Sequence, residues 1–203
     1  MISNGVDLKV FHHIKRESDA KWNVLYVGRL DQEKNIPLLL EALHILKVKN
    51  AIDTIQCTII WGGSEEKKLR AIVKSYELTK HVHFTGKISL SKVIEAYQHC
   101  STYVLTSLYE LESMSTLEAM ACGCPILIAN SEHSAAKFFV QENWYLFDPH
   151  KAEDLANKIN ILKTNPEKTQ KMREKSIEQV INFSFEKSIE RLSDLFMSLC
   201  NKT

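Results

Sequence analysis

Two acids stand out as residues that could do chemistry. Glu110 and Glu118 lie in the stretch Ser107-Leu-Tyr-Glu-Leu-Glu-Ser-Met-Ser-Thr-Leu-Glu-Ala-Met-Ala-Cys-Gly-Cys-Pro125, with seven residues between them. An ionised carboxylate is acceptor-only and can hold a vicinal diol with both oxygens. Apolar runs at Thr102–Leu105 and Pro125–Ala129 flank the stretch and read as strands, which makes it a loop carrying Glu110 followed by a short helix carrying Glu118. Ser115-Thr-Leu-Glu118 fits the capping box, in which the Ser side chain accepts from a backbone N–H three residues on and the Glu reaches back to the Ser N–H. A helix starting there turns unpaired N–H groups and the positive end of its dipole toward solvent, a ready seat for phosphate. Together these groups suit a phosphorylated sugar, with carboxylates on hydroxyls and N–H groups on phosphate. The plainer alternative is a solvated loop acid and a capping glutamate, and two glutamates at this spacing mean little alone.

Strands and helices must bring such groups together, and the chain alternates between them. Trp22-Asn-Val-Leu-Tyr-Val27 is a nearly continuous apolar run ending at Gly28, the pattern of a strand buried on both faces. After polar residues 29–35, Pro37 opens a helical pattern through Leu38, Leu39, Ala42, Leu43, Ile45 and Leu46. The unit repeats. Thr54–Ile60 is a strand closed by Trp61-Gly-Gly63, followed by a helix at Glu65–Leu78; Val82–Phe84 is a strand ended by Gly86, followed by a helix at Ser91–His99. The strands at 102 and 126 follow, then a short helix at Ser134–Val140 and a last strand at Trp144–Phe147. This alternation over residues 22–149 predicts an α/β fold, a doubly wound, Rossmann-like parallel sheet that binds ligands at the carboxyl ends of its strands. Beyond Pro149 come only helices, Ala152–Leu162, Pro166–Ile181 and Phe185–Leu199. The last carries Ile189, Leu192, Leu195, Phe196 and Leu199 at helical spacing, and residues 150–203 read as helices that pack on the sheet in a single domain. Residues 1–21 read as a leading linker.

Composition narrows the function further. The 203 residues carry a net charge of +1, so no broad field attracts nucleic acid or anionic membrane. Cys57, Cys100, Cys122, Cys124 and Cys200 are odd in number and lack Cys-x-x-Cys spacing, which points to a reducing cytoplasm. No apolar run is long enough to span a membrane, and Met1–Asp7 has no secretory character. The histidines show no metal spacing, Ser113 and Ser115 lack the nucleophile-elbow glycines, and the dinucleotide glycine fingerprint does not occur. Trp61 and Trp144 read as core, and Glu112 as an acid that points to solvent as readily as into a site.

Read together, these residues resemble the C-terminal, nucleotide-sugar-binding half of the retaining glycosyltransferases of family 4, which have the two-domain GT-B fold. Asn4-Gly-Val-Asp7 is similar to the segment where that chain enters this half, and Val27-Gly-Arg-Leu30 with Lys34 to its first-strand signature. Gly62-Gly63 resembles the glycine turn after the second strand, and Val82-His-Phe-Thr-Gly86 the third-strand motif. The most specific match is Glu110 and Glu118 continuing as Glu118-Ala-Met-Ala-Cys-Gly-Cys-Pro125. The resemblance implies that Glu110 meets hydroxyls of the donor sugar and Glu118 those of the ribose. It implies that Arg29 and Lys34, at the Gly28 turn, hold the diphosphate with the helix-start N–H groups of Ser113, Met114 and Ser115, and that the base lies against Lys87-Ile88. The donor is expected to be a UDP- or GDP-linked hexose, with neither metal nor cofactor.

The departures bear on activity. Where the family commonly has Gly-Phe-Gly after the first glutamate, this chain has Leu111-Glu-Ser113, and Asn35 replaces a common glycine. The resemblance makes residues 1–203 a donor-binding domain without the N-terminal half that binds a sugar or lipid-linked acceptor; peripheral membrane attachment, where it occurs, belongs to that half. The expected function is hexose transfer in glycan or polysaccharide synthesis. Two other readings stand beside it, a non-catalytic module in which the altered loop has closed the sugar site, and a nucleotide-sugar epimerase of similar fold.

Overall fold

A computed structural model of the chain describes residues 3–15, 21–139 and 146–200. Trp144 and Tyr145 of the expected last strand, and Val140 at the end of the expected short helix, lie outside the described residues. Among the described residues six parallel strands form one sheet: β1 (Trp22–Val27), β2 (Ile55–Ile60), β3 (Val82–Gly86), β4 (Thr102–Leu105), β5 (Ile126–Ala129) and β6 (Leu146–Phe147), in the order β3-β2-β1-β4-β5-β6. Every residue of β4 and β5 is buried, as continuous apolar strands must be when both faces are covered.

The first crossover explains how one face is covered. Asn35 adopts a left-handed conformation (φ 47°, ψ 39°), tolerable for Asn, and turns the chain into α1 (Ile36–Val48) with Pro37 in its first turn. Helix α1 buries Ile36, Leu38, Leu39, Leu40, Ala42, Leu43 and Leu46, and it packs against α5 (Ala152–Thr164). On the other crossovers lie α2 (Glu66–Ser75), α3 (Leu90–His99) and α4 (Met114–Ala121), and α4 is backed by α6 (Pro166–Val180). The buried side chains of sheet and helices form a single core cluster.

The leading residues, expected as a linker, are bonded into the fold: Val6 N–H donates to the Phe183 carbonyl (2.9 Å), Phe185 N–H donates to the Val6 carbonyl (3.0 Å), and Phe11 sits edge-on to Tyr97 at 6.3 Å. Helix α7 (Phe185–Cys200) does not pack on the sheet as expected. Ser188 is its one buried residue among those described, and the stripe Ile189, Leu192, Leu195, Phe196 and Leu199 stays 42–59% exposed. Only the root of the helix is fastened, so its periodicity is real while its apolar face meets solvent.

At the carboxyl rim the loops after β1 and β2 are stacked backbone on backbone. Leu30 N–H donates to the Gly62 carbonyl (3.1 Å) and Glu65 N–H to the Leu30 carbonyl (2.8 Å), and a Cβ placed on Gly63 would stand 2.6 Å from Leu30 N. Gly63→Ala is therefore expected to destabilise the chain by about 1–3 kcal/mol, read as a lower urea midpoint at unchanged slope.

Candidate functional site

The strand order reverses between β1 and β4, so the loops leaving these neighbours diverge and open a crevice at their carboxyl ends. A cleft of about 230 Å³ lies there, lined by Gly28, Arg29 and Lys34 from the β1 loop and by Glu110, Glu112, Ser113, Met114 and Ser115 from the β4 loop. Lys34 Nζ donates to Glu110 Oε1 at 2.9 Å, and the two side chains are only 12% and 13% exposed.

Backbone bonds hold both partners of that pair. Thr106 Oγ1 donates to the Lys34 carbonyl (2.6 Å) and Leu108 N–H to the Glu33 carbonyl (2.9 Å), which ties the β4 loop to the β1 loop. Glu110 N–H donates to the His133 carbonyl (3.2 Å) and Ala135 N–H to the Glu110 carbonyl (2.8 Å), which ties it to the β5 loop. Arg29 is freer. Its side chain is 63% exposed and pairs with Asp31 (2.9 Å) and Glu33 (3.3 Å). Such exposed pairs are worth little, so an incoming anion can recruit Arg29 at small cost.

Helix α4 starts earlier than its sequence suggests. Ser113 is the N-cap residue and Met114 the first helical residue, so the expected capping box from Ser115 to Glu118 does not form. Tertiary partners outcompete it. Ser115 Oγ hydrogen-bonds the Tyr103 hydroxyl (2.8 Å), and the Tyr97 hydroxyl donates to Glu118 Oε2 (2.9 Å). The first N–H groups of a helix have no intrahelical acceptor, and here they belong to residues that line the cleft.

Glu118, a turn further along, is outside the cleft lining. Burial raises its carboxyl pKa, with the Tyr97 hydrogen bond acting the other way; burial also pushes the Tyr97 hydroxyl well above its ordinary value, which keeps it a donor. Lys87 and Ile88 lie past the end of β3, also outside that lining: Lys87 Nζ stands 5.2 Å from the centre of the Trp61 ring, and Ile88 is partly buried against the core.

The structure decides what the sequence left open for Glu112 and Leu111, and it differs from the reading of Trp61. Glu112 is half-buried at the cleft and accepts from the Ser3 hydroxyl, from Asn4 N–H (3.0 Å) and from the Asn4 side-chain amide (2.5 Å). No local pattern announces a contact between residues 108 positions apart. Leu111 is 99% exposed, so the bulkier loop leaves the space beside Glu110 open. Trp61 is only half-buried and has a positive φ of 105°, unlike a core residue.

A larger cleft, about 640 Å³, opens at the ends of β5 and β6, but its aspartates are already engaged. Asp154 accepts from Asp148 N–H (2.8 Å), while Asp148 accepts from His150 N–H (2.9 Å) and pairs with Lys151 (3.0 Å). Convergent charge therefore picks out the smaller cleft. Among the described residues no group of three or more His, Cys, Asp or Glu is placed to hold a metal ion, and no helix is long and apolar enough to cross a membrane.

Comparison with known proteins agrees with this fold. The pattern of the family "Glycosyl transferases group 1" matches residues 9–179, and the chain belongs to that family. It is 26% identical over 200 residues to a poly(ribitol-phosphate) alpha-N-acetylglucosaminyltransferase of Staphylococcus aureus, covering 97% of this chain and 39% of that protein. A crystal structure of S. aureus TarM in complex with fondaparinux, alpha-GlcNAc-glycerol and UDP superposes with a TM-score of 0.82 at 25% identity, over 96% of this chain and 38% of that one. Sucrose-phosphate synthase from Thermosynechococcus elongatus gives a TM-score of 0.84 at 25% identity, over 98% and 52%. The chain spans about half the length, or less, of the curated relatives it matches, for example 46% of an uncharacterized glycosyltransferase of Haemophilus influenzae.

The raised pKa of Glu118 has a definite sign in stability. A carboxyl whose folded pKa exceeds its unfolded value favours the fold fully below the unfolded pKa, and that contribution is lost as pH rises through the folded one. Glu118→Gln removes the buried charge and keeps an acceptor for Tyr97. The variant is expected to unfold at a higher urea concentration than the parent at neutral pH, with the difference vanishing at about pH 3, below the ordinary carboxylate pKa.

Proposed function

We propose that this domain is the donor-binding half of a retaining, metal-independent glycosyltransferase that takes a UDP- or GDP-linked hexose. The observation that carries the proposal is the Lys34–Glu110 pair facing the start of α4 across one cleft at the switch point of the sheet. Departure of the nucleoside diphosphate builds negative charge on its oxygens. Arg29, Lys34 and the N–H groups at Ser113–Ser115 stabilise that charge, and fixed donors in a partly dry cleft do so with little reorganisation. Glu110, released from Lys34 as the ammonium turns to phosphate, accepts from hydroxyls of the hexose. Glu118 takes the ribose hydroxyls, and Lys87 with Ile88 borders the base.

An acceptor, sugar or lipid-linked, would be held by a second, N-terminal half of the kind the longer relatives have room for, in the cytoplasm and in the service of glycan synthesis. By itself the chain is expected to bind nucleotide and transfer little. The exposure of Leu111 speaks against the alternative module with a closed sugar site, because its side chain does not fill the space beside Glu110.

Isothermal titration with a panel of nucleoside diphosphates and their hexose conjugates tests the reading. UDP or GDP is expected to bind. Lys34→Ala should weaken either by about tenfold or more, the size of a lost charge-assisted hydrogen bond. Glu110→Gln should weaken the hexose conjugate by a similar factor without weakening the nucleoside diphosphate, since in the complex its charge serves the sugar while Lys34 has phosphate in its place. Absence of binding by every nucleotide in the panel would rule the proposal out for this chain.

A further inference from the structure

We infer that Trp61 is the stacking platform for the base of the bound nucleotide, a role that rests on the donor-site reading above and assigns it a further residue. The first observation is backbone strain. Among the described non-glycine residues with positive φ, Asn35, Asn50 and Glu77 lie at 47–54°, in the ordinary left-handed well, whereas Trp61 stands at 105°. A bulky side chain avoids that region, and such strain persists only where the surroundings enforce it, most often at functional positions. Here they do: Trp61 N–H donates to the Gly86 carbonyl (3.0 Å), and the next residue is pinned by the Leu30 N–H bond to the Gly62 carbonyl (3.1 Å).

The second observation is what the ring does. It is not spent in the core; the residue is half-buried, and the Lys87 ammonium sits 5.2 Å from the ring centre. The third is position. In the β1–β2 register Val27 pairs with Ile60, so Trp61 stands beside Gly28, which lines the charged cleft. Neighbouring strands are about 4.8 Å apart, so the rim runs from the anion site at β1 and β4, through Trp61 at β2, to Lys87 at β3, in steps that a ribose can bridge. An indole face accepts any flat base, and a base that stacks on it displaces the Lys87 ammonium from over the ring toward the base edge, where it can donate to carbonyl oxygens.

The test uses the whole 203-residue chain with UDP, GDP and inorganic pyrophosphate as probes. Trp61→Gly suits φ near 105°, and strain relief offsets the lost contacts, so its thermal midpoint is expected to hold. Its affinity for the nucleoside diphosphate should fall about tenfold, as for loss of one stacked base, while pyrophosphate binding is unchanged. Trp61→Phe should keep most of the nucleotide affinity, and nucleotide should quench the fluorescence of the parent far more than that of Trp61→Phe. The inference is overturned if Trp61→Gly binds nucleoside diphosphates as tightly as the parent, or loses pyrophosphate in the same proportion. It is overturned as well if the parent prefers nucleotides no more than pyrophosphate. If the parent binds none of the three probes, the donor-site reading falls and this inference with it.

Discussion

The site depends on one ion pair. Lys34 and Glu110 lie 76 residues apart, on loops that leave adjacent strands in opposite directions, and they meet at 2.9 Å with little access to water. In such a setting an unpaired charge costs far more than the pair contributes, so each side chain fixes the other. The chain thereby keeps a cation and an anion concentrated in a crevice that sheet topology alone would only have opened. A ligand that offers phosphate to the lysine and hydroxyls to the glutamate can exchange partners without leaving either charge bare.

The rest of the carboxyl rim holds that arrangement still. The loop bearing Glu110 is fastened to the β1 loop by Thr106 and Leu108 and to the β5 loop through the backbone at His133 and Ala135. At the edge of the cleft Glu112 grips Ser3 and Asn4. Those residues in turn lead to Val6, which bridges the root of α7. The loop that carries Leu111-Glu-Ser113 is thus fastened by partners on three sides. Leu111 is turned outward where it cannot obstruct the crevice.

Much of the fold was legible because buried parallel strands write themselves as continuous apolar runs, and Trp22–Val27 and Thr102–Leu105 begin and end where their sequences say. The start of α4 was misjudged for a specific reason. A local rule, the serine and glutamate of a capping box, lost to partners brought by the fold, with Tyr103 taking Ser115 and Tyr97 taking Glu118. The clamp by Glu112 and the weaving of the leading residues were illegible because both join residues far apart in the chain. For α7 the periodicity was plain, yet a periodic stripe does not say whether anything covers it. Trp61 shows the converse limit: its residue type says core, and only the backbone conformation says otherwise.

The most direct measurement is a crystal structure of this chain with UDP or GDP bound. The phosphates are expected between Arg29, Lys34 and the first turn of α4, the ribose at Glu118, and Glu110 released from Lys34. A nucleotide seated instead in the larger cleft beside His133 and His150, with the Lys34–Glu110 pair undisturbed, would contradict that placement.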